Sequence, residues 1–248
     1  MRKLHCFLLL LPAMLLSGCD FVIDGGFDSR RVRGSGKVTS QQRNVSGFHE
    51  VEFTSVGEVT LEQGGSESLE IEAEDNLLPH IRTEVQGGRL LIGTERGVSI
   101  SPTTTIRYRL KVREIDAIEL SGSGKIVTSP LTSSEMRLDL PGSGVIRVGG
   151  LSARALEASI SGSGDIEVPG RVGRVTVHIS GSGEYDGGGL ESETADVSIS
   201  GSGDATVWVR DRLSASISGS GDVDYYGEPS VNKRVSGSGS VRGRGARR

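Results

Sequence analysis

Only two cysteines occur in the 248 residues, Cys6 and Cys19, and both lie near the amino terminus. No disulfide can staple the rest of the chain, so its stability has to come from backbone pairing and packing. Aromatic residues make up only 4% of the chain, with a single tryptophan; so few rings suit a narrow interior filled by aliphatic side chains. A strong charge of one sign is also missing. The formal net charge is −4, and nothing points to a nucleic-acid partner. The glycines never fall at the spacing of a P-loop, a G-x-S-x-G elbow or a dinucleotide fingerprint. His49, His80 and His178 are widely separated and form no metal-ligand spacing such as H-E-x-x-H. These absences read as a protein that is not an enzyme.

The one long apolar run is Phe7–Leu16, preceded by Arg2 and Lys3. It is too short, and wrongly flanked, for a membrane-spanning helix. It leads into Leu16-Ser17-Gly18-Cys19, which resembles the lipobox of a bacterial lipoprotein signal peptide. The resemblance implies cleavage before Cys19, a diacylglycerol on its thiol and acylation of the new amino terminus. Residues 1–18 then form a lipoprotein signal peptide and 19–44 a lipidated tether. Several acyl chains anchor durably where one would not, so the first expected partner is a membrane, in a bacterial envelope and facing the periplasm. Asp20 resembles a residue that retains enterobacterial lipoproteins at the inner membrane; inner and outer membrane both stay open. Loss of Arg2 and Lys3 with the leader takes the net charge to −6.

What the chain has in abundance is a phrase. Gly-Ser-Gly begins at Gly122, Gly142, Gly162, Gly181, Gly201, Gly219 and Gly237, at intervals of 20, 20, 19, 20, 18 and 18 residues. Two residues before it stand Leu120, Leu140, Ile160, Ile179, Ile199, Ile217 and Val235. Four after it stand Ile126, Ile146, Ile166, Tyr185, Ala205, Val223 and Val241. Apolar alternation at period two on both sides of a fixed corner predicts two short strands per repeat. A unit of 18–20 residues cannot bury its apolar side alone and must stack on its neighbours in parallel. The glycines are expected to supply positive φ at a sharp bend, with the serines stacked in a ladder. A lone earlier Gly34-Ser35-Gly36 falls in the tether. Val51–Leu61, Leu69–Ala73, Ile81–Val85, Leu90–Ile92 and Ile106–Val112 alternate less regularly and read as the first coils. The domain spans 45–228, and 229–248 is a basic Gly/Ser/Arg tail, expected to fray.

The segments "VSGFHEVEFTSVGEVTLEQG" and "SLEIEAEDNLLPHIRTEVQGGRLLIGT", followed by serial "SGSGxI" corners, resemble the head GIN domain family (DUF2807), whose name carries an auto-transporter adhesin label. The resemblance covers about Val45 to Tyr226. It implies an all-β, right-handed, single-stranded parallel β-helix in an exported bacterial protein, and it carries over no catalytic residues.

Directly after the corners stand Lys125, Val145, Asp165, Glu184, Asp204, Asp222 and Ser240. Stacked coils bring the four carboxylates into one column, where Ca²⁺ would relieve their repulsion or solvent and salt would screen it. Trp208 and Tyr226, seven positions after successive corners, are expected to point outward from adjacent coils. There they either stack on each other or grip a sugar or an envelope protein. The leading reading is a non-catalytic, lipid-anchored envelope solenoid used for binding, adhesion or support. The second is a Ca²⁺-binding module on Asp165, Glu184, Asp204 and Asp222. The third is a carbohydrate-active enzyme with paired carboxylates on the same scaffold.

Overall fold

The computed structural model describes residues 30–247; the leader, Cys19 and the start of the tether lie outside the described residues. The described residues are all-β apart from a single 3-10 turn at Leu78–His80, and they wind into a stacked parallel solenoid. Strands that precede the corners pair in the order Arg89–Thr94, Glu50–Phe53, Ala117–Leu120 and Glu135–Leu140, then through 155–160, 174–179, 194–199 and 212–217 to Ser230–Gly237. Strands that follow the corners form a second face. It starts with Arg107–Val112 and Glu58–Gln63 and ends with Asp222–Tyr226 and Ser240–Gly243.

Strand alternation sends one file of side chains inward from each face. Phe53, Leu120, Leu140, Ile160, Ile179, Ile199 and Ile217 form one buried file, and Val59, Ile126, Ile146, Ile166, Tyr185, Ala205 and Val223 the other. Val235 continues the first file but stays exposed, because no further coil covers it. A third short side, absent from the two-strand reading of the repeat, aligns Leu131, Leu151, Gly170 and Leu190 between the two main faces.

The first coils are not stacked in chain order. Arg89–Thr94 and Arg107–Val112 lie beneath Glu50–Phe53 and Glu58–Gln63, while Ala117–Leu120 and Lys125–Thr128 lie above them. The chain thus lays its second level first, returns to build the base, then climbs. Antiparallel strands close that base: Ser68–Glu74 pairs with Arg107–Val112, and Ile81–Gln86 with Arg89–Thr94. The base therefore ends on the antiparallel strands Val38–Arg43 and Ile81–Gln86, which each pair on one side only among the described residues. Both carry polar and charged residues, a composition that blunts edge pairing.

Both ends of the domain are longer than the repeat implied. Within the presumed tether, Val38–Arg43 pairs antiparallel with Ser68–Glu74, and Arg30–Arg33 pairs with Val98–Ser101. The lone Gly34-Ser35-Gly36 is a clamp between them. Ser35 N–H donates to Asn76 Oδ1 at 2.9 Å, Gly36 N–H to Glu74 Oε1 at 2.8 Å, and the Ser35 hydroxyl to Asp75 Oδ1 at 2.6 Å. Glu74 is fully buried and also accepts from Thr103 N–H at 3.0 Å and from the Thr103 hydroxyl. At the other end, Ser230–Gly237 and Ser240–Gly243 pair with the preceding coils, so the tail does not fray over these residues.

The corner glycines are needed for a reason other than the expected one. Gly142, Gly162, Gly181 and Gly201 do not have positive φ; among the later corners only Gly219 and Gly237 do. A Cβ on any of them would instead lie under 3.0 Å from the carbonyl oxygen of the equivalent glycine one coil below. Coil-to-coil approach, not bending, excludes the side chain. The ladder at the corner is made by backbone: Ser182 N–H donates to Gly162 O at 3.1 Å, Ser202 to Gly181 O at 3.1 Å and Ser238 to Gly219 O at 2.9 Å.

Candidate binding face

The post-corner face brings the predicted column together. Asp165, Glu184 and Asp204 are register partners on successive strands, and Asp222 follows, its N–H donating to Asp204 Oδ1 at 2.8 Å. A second outward column runs beside it through Arg147, Glu167, Asp186, Thr206 and Asp224. The two ends of this surface are neutralised. Below, Lys125 pairs with Glu58 at 3.1 Å and Arg147 with Glu167 at 3.1 Å. Above, Arg242 pairs with Asp222 at 3.1 Å and Arg244 with Asp224 at 2.6 Å.

Between these ends, Asp165, Glu184, Asp186 and Asp204 form no salt bridge among the described residues. Partial burial, then repulsion from Asp165, Asp186 and Asp204, raises the Glu184 pKa above the ordinary glutamate value. The Asp222 carboxyl goes the other way, lowered chiefly by the Ser240 hydroxyl that donates to it at 2.8 Å. Strand spacing keeps the acids in a ladder. Among the described residues, no three His, Cys, Asp or Glu side chains converge as metal ligands. His178 lies exposed beside Ser159 and Ser198, as its place in the repeat predicts.

Trp208 and Tyr226 are register partners on adjacent coils, each half-buried. They are not stacked on each other; the aromatic pair among the described residues is Phe53–Tyr108 in the core, with ring centroids 5.0 Å apart. Instead the tail folds back, and the Arg247 guanidinium sits 5.5 Å from the Trp208 ring centroid and 5.6 Å from that of Tyr226. Such cation–π contacts contribute about 0.5–1 kcal/mol each at exposed sites.

Tyr226 lines a groove of about 560 Å³ together with Glu167, Glu184, Asp186, Thr206 and Arg247, and Trp208 adjoins it through its contact with Arg247. A break in the ladder makes the hollow. Gly187 pairs with Val207, but the next pair is Glu191 with Trp208, so Gly188, Gly189 and Leu190 have no register partner on the following coil. Gly188 and Gly189 supply the floor without side chains. A Cβ on Gly188 would reach 3.5 Å from the Tyr226 ring. The repeat frame located the two rings and the acids, but it missed the glycine floor and the returning arginine. The available signal was the Gly187-Gly188-Gly189 run, in a 20-residue interval followed by two of 18.

The fold and this face together define a β-solenoid with one acidic, aromatic-edged groove. The chain belongs to the family described as "Putative auto-transporter adhesin, head GIN domain", whose model matches residues 47–229. Among solved structures it is similar to a "putative adhesin" from Bacteroides fragilis, with TM-score 0.82 and 21% identity, which shows the shared fold. It is also similar to a "putative adhesin" from Parabacteroides merdae (TM-score 0.71, 26% identity) and a "putative lipid binding protein" from Parabacteroides distasonis (TM-score 0.74, 26% identity). Each alignment covers 86% of this chain and 99% of the other. No curated protein matches the chain.

Proposed function

We propose that the protein is a non-catalytic binding module of the bacterial cell envelope, tethered by lipid on Cys19, that engages its ligand in the groove beside Trp208 and Tyr226. The observation that carries this reading is the groove itself: Tyr226 and the Trp208-bound Arg247 edge a glycine-floored hollow, and the adjoining Glu184 and Asp186 have no salt-bridge partner among the described residues. The adhesin label of the family and of the 26%-identical P. merdae relative supports a binding role at the cell surface.

The architecture fits that role. The amino-terminal strands pack at the base, and the groove opens on coils roughly 25 Å further along the axis at about 4.8 Å per coil. A membrane anchor at the base would therefore hold the groove away from the lipid. Lipid binding, the activity printed for the P. distasonis relative, is less well served here. The solenoid interior is filled by Ile, Val and Leu, and the groove rim is carboxylate.

Two measurements test the proposal. Incorporation of a palmitate analogue in the expressing bacterium, lost in Cys19→Ala, tests the anchor. Binding of purified protein to envelope and cell-surface fractions, compared with Trp208→Ala plus Tyr226→Ala, tests the groove. Equal binding by a folded double variant would sink the assignment of the site.

A further inference from the structure

We infer that the groove is a guanidinium-recognition site for an arginine-bearing extended peptide, and that the chain's own tail, through Arg247, occupies it as a competing ligand in cis. This rests on the groove reading above and names its ligand class. Three independent features point the same way. The rings of Trp208 and Tyr226 face a guanidinium at 5.5 and 5.6 Å, a planar, weakly hydrated cation that lies flat on aromatic faces, whereas a strongly hydrated ammonium makes the cation–π contact without stacking. The neighbouring carboxylates Glu184 and Asp186 have no salt-bridge partner among the described residues, although the carboxylates at both ends of the same face are paired. Finally, Gly188 and Gly189 leave the groove floor without side chains; a Cβ on Gly188 would crowd Thr206 and Asp186 at 3.0 and 3.1 Å, and one on Gly189 would crowd Pro169 at 3.0 Å.

Arg247 itself forms no salt bridge among the described residues, so two rings hold it, beside an acidic stripe that it does not neutralise. A peptide carrying more than one arginine can engage both features, and it would displace the tail. The tail reduces the apparent affinity for such a peptide in proportion to the fraction of time it occupies the rings.

The chain has a single tryptophan, and its ring lies against the Arg247 guanidinium that lines the groove, so its emission reports displacement of the tail. The experiment titrates full-length protein and its Arg247→Ala variant with the peptides Gly-Ala-Arg-Arg, Gly-Ala-Lys-Lys and Gly-Ala-Gln-Gln, and separately with cellohexaose. Arg247→Ala is expected to change Trp208 emission by itself. The arginine peptide is expected to bind the variant about tenfold more tightly than the parent. The lysine peptide should bind at least tenfold more weakly than the arginine peptide, and the glutamine peptide not at all.

Glu184→Gln plus Asp186→Asn, checked for fold by circular dichroism, should weaken the arginine peptide about tenfold. Lysine and arginine peptides binding alike, or parent and Arg247→Ala binding alike, would overturn the inference. Saturable binding of cellohexaose without the arginine peptide would overturn it while leaving the groove as a binding site. If no probe binds, and envelope binding survives loss of both rings, the groove reading and this inference fall together.

Discussion

Gly162→Ala tests why the corner phrase exists. A Cβ at Gly162 would enter the Gly142 carbonyl one coil below, and the clash is with backbone, which cannot swing aside as a side chain can. Relief requires the two coils to part, and that strains the flanking ladder bonds Ser161 N–H to Leu140 O at 3.2 Å and Asp165 N–H to Gly144 O at 3.1 Å. Overpacking of this kind costs about 1–3 kcal/mol, and weakening one or two hydrogen bonds adds roughly 1 kcal/mol each. A net loss of about 3 kcal/mol lowers Tm by roughly 6–12 °C for a domain of this size. Gly150→Ala is the matched control: its Cβ would meet nothing nearer than Pro130 at 3.7 Å, an ordinary contact. That change should be neutral or slightly stabilising, because alanine restricts the unfolded chain. Thermal unfolding followed by circular dichroism decides the matter. Equal Tm values for the two variants would refute coil-to-coil approach as the reason for glycine.

Other perturbations have worked signs. Bonds from Thr103 and Gly36 hold the Glu74 carboxyl below its ordinary pKa, so its contribution is present above the usual carboxylate range and lost as pH falls through the folded value. Glu74→Gln should lower Tm at pH 7, with the deficit shrinking in acid, and should speed proteolysis near Gly34. Glu184 has the opposite sign. Its pKa is raised, so Glu184→Gln should raise Tm at pH 7, and the gain should fade as pH drops through the raised value. Tyr185 is fully buried, and its hydroxyl has no hydrogen-bond partner among the described residues. Tyr185→Phe should therefore be neutral or stabilising by about 1 kcal/mol. Millimolar Ca²⁺ against EDTA should leave Tm unchanged, since the Asp165–Asp222 acids run as a ladder; a shift of several degrees would restore the cation reading.

The repeat was legible because its signal is redundant. Every coil restates the same apolar file, so Ile160, Ile179, Ile199 and Ile217 could be aligned, and the column Asp165–Asp222 predicted, from spacing alone. What the spacing could not show was anything made once. The order of the base coils depends on which edge Arg107–Val112 finds, and no local pattern encodes that choice. The tether was misread over Gly34–Arg43 because its partners, Glu74, Asp75 and Asn76, stand some forty residues away. The corner glycines were correctly placed and wrongly explained. A local motif suggests a local cause, whereas the cause here is the neighbouring coil.

This distinction also bears on the proposed groove. A perfect solenoid repeats each outward residue every 4.8 Å or so, and such a ladder offers a ligand many equivalent registers. A unique site needs a break. The break lies where Gly187 pairs with Val207 and the next pair is Glu191 with Trp208. If the hollow there is what seats Arg247, filling it should act like removing the arginine. Gly188→Val tests this, because the position does not have positive φ and a Cβ there points toward Thr206 and Tyr226, at 3.0 and 3.5 Å. The variant should stay folded, with Tm within about 5 °C of the parent, as expected for a modest overpacking at a groove floor. Its Trp208 emission should match that of Arg247→Ala. Emission unchanged from the parent would mean that the tail does not depend on the hollow, and that the break in the ladder is structural only.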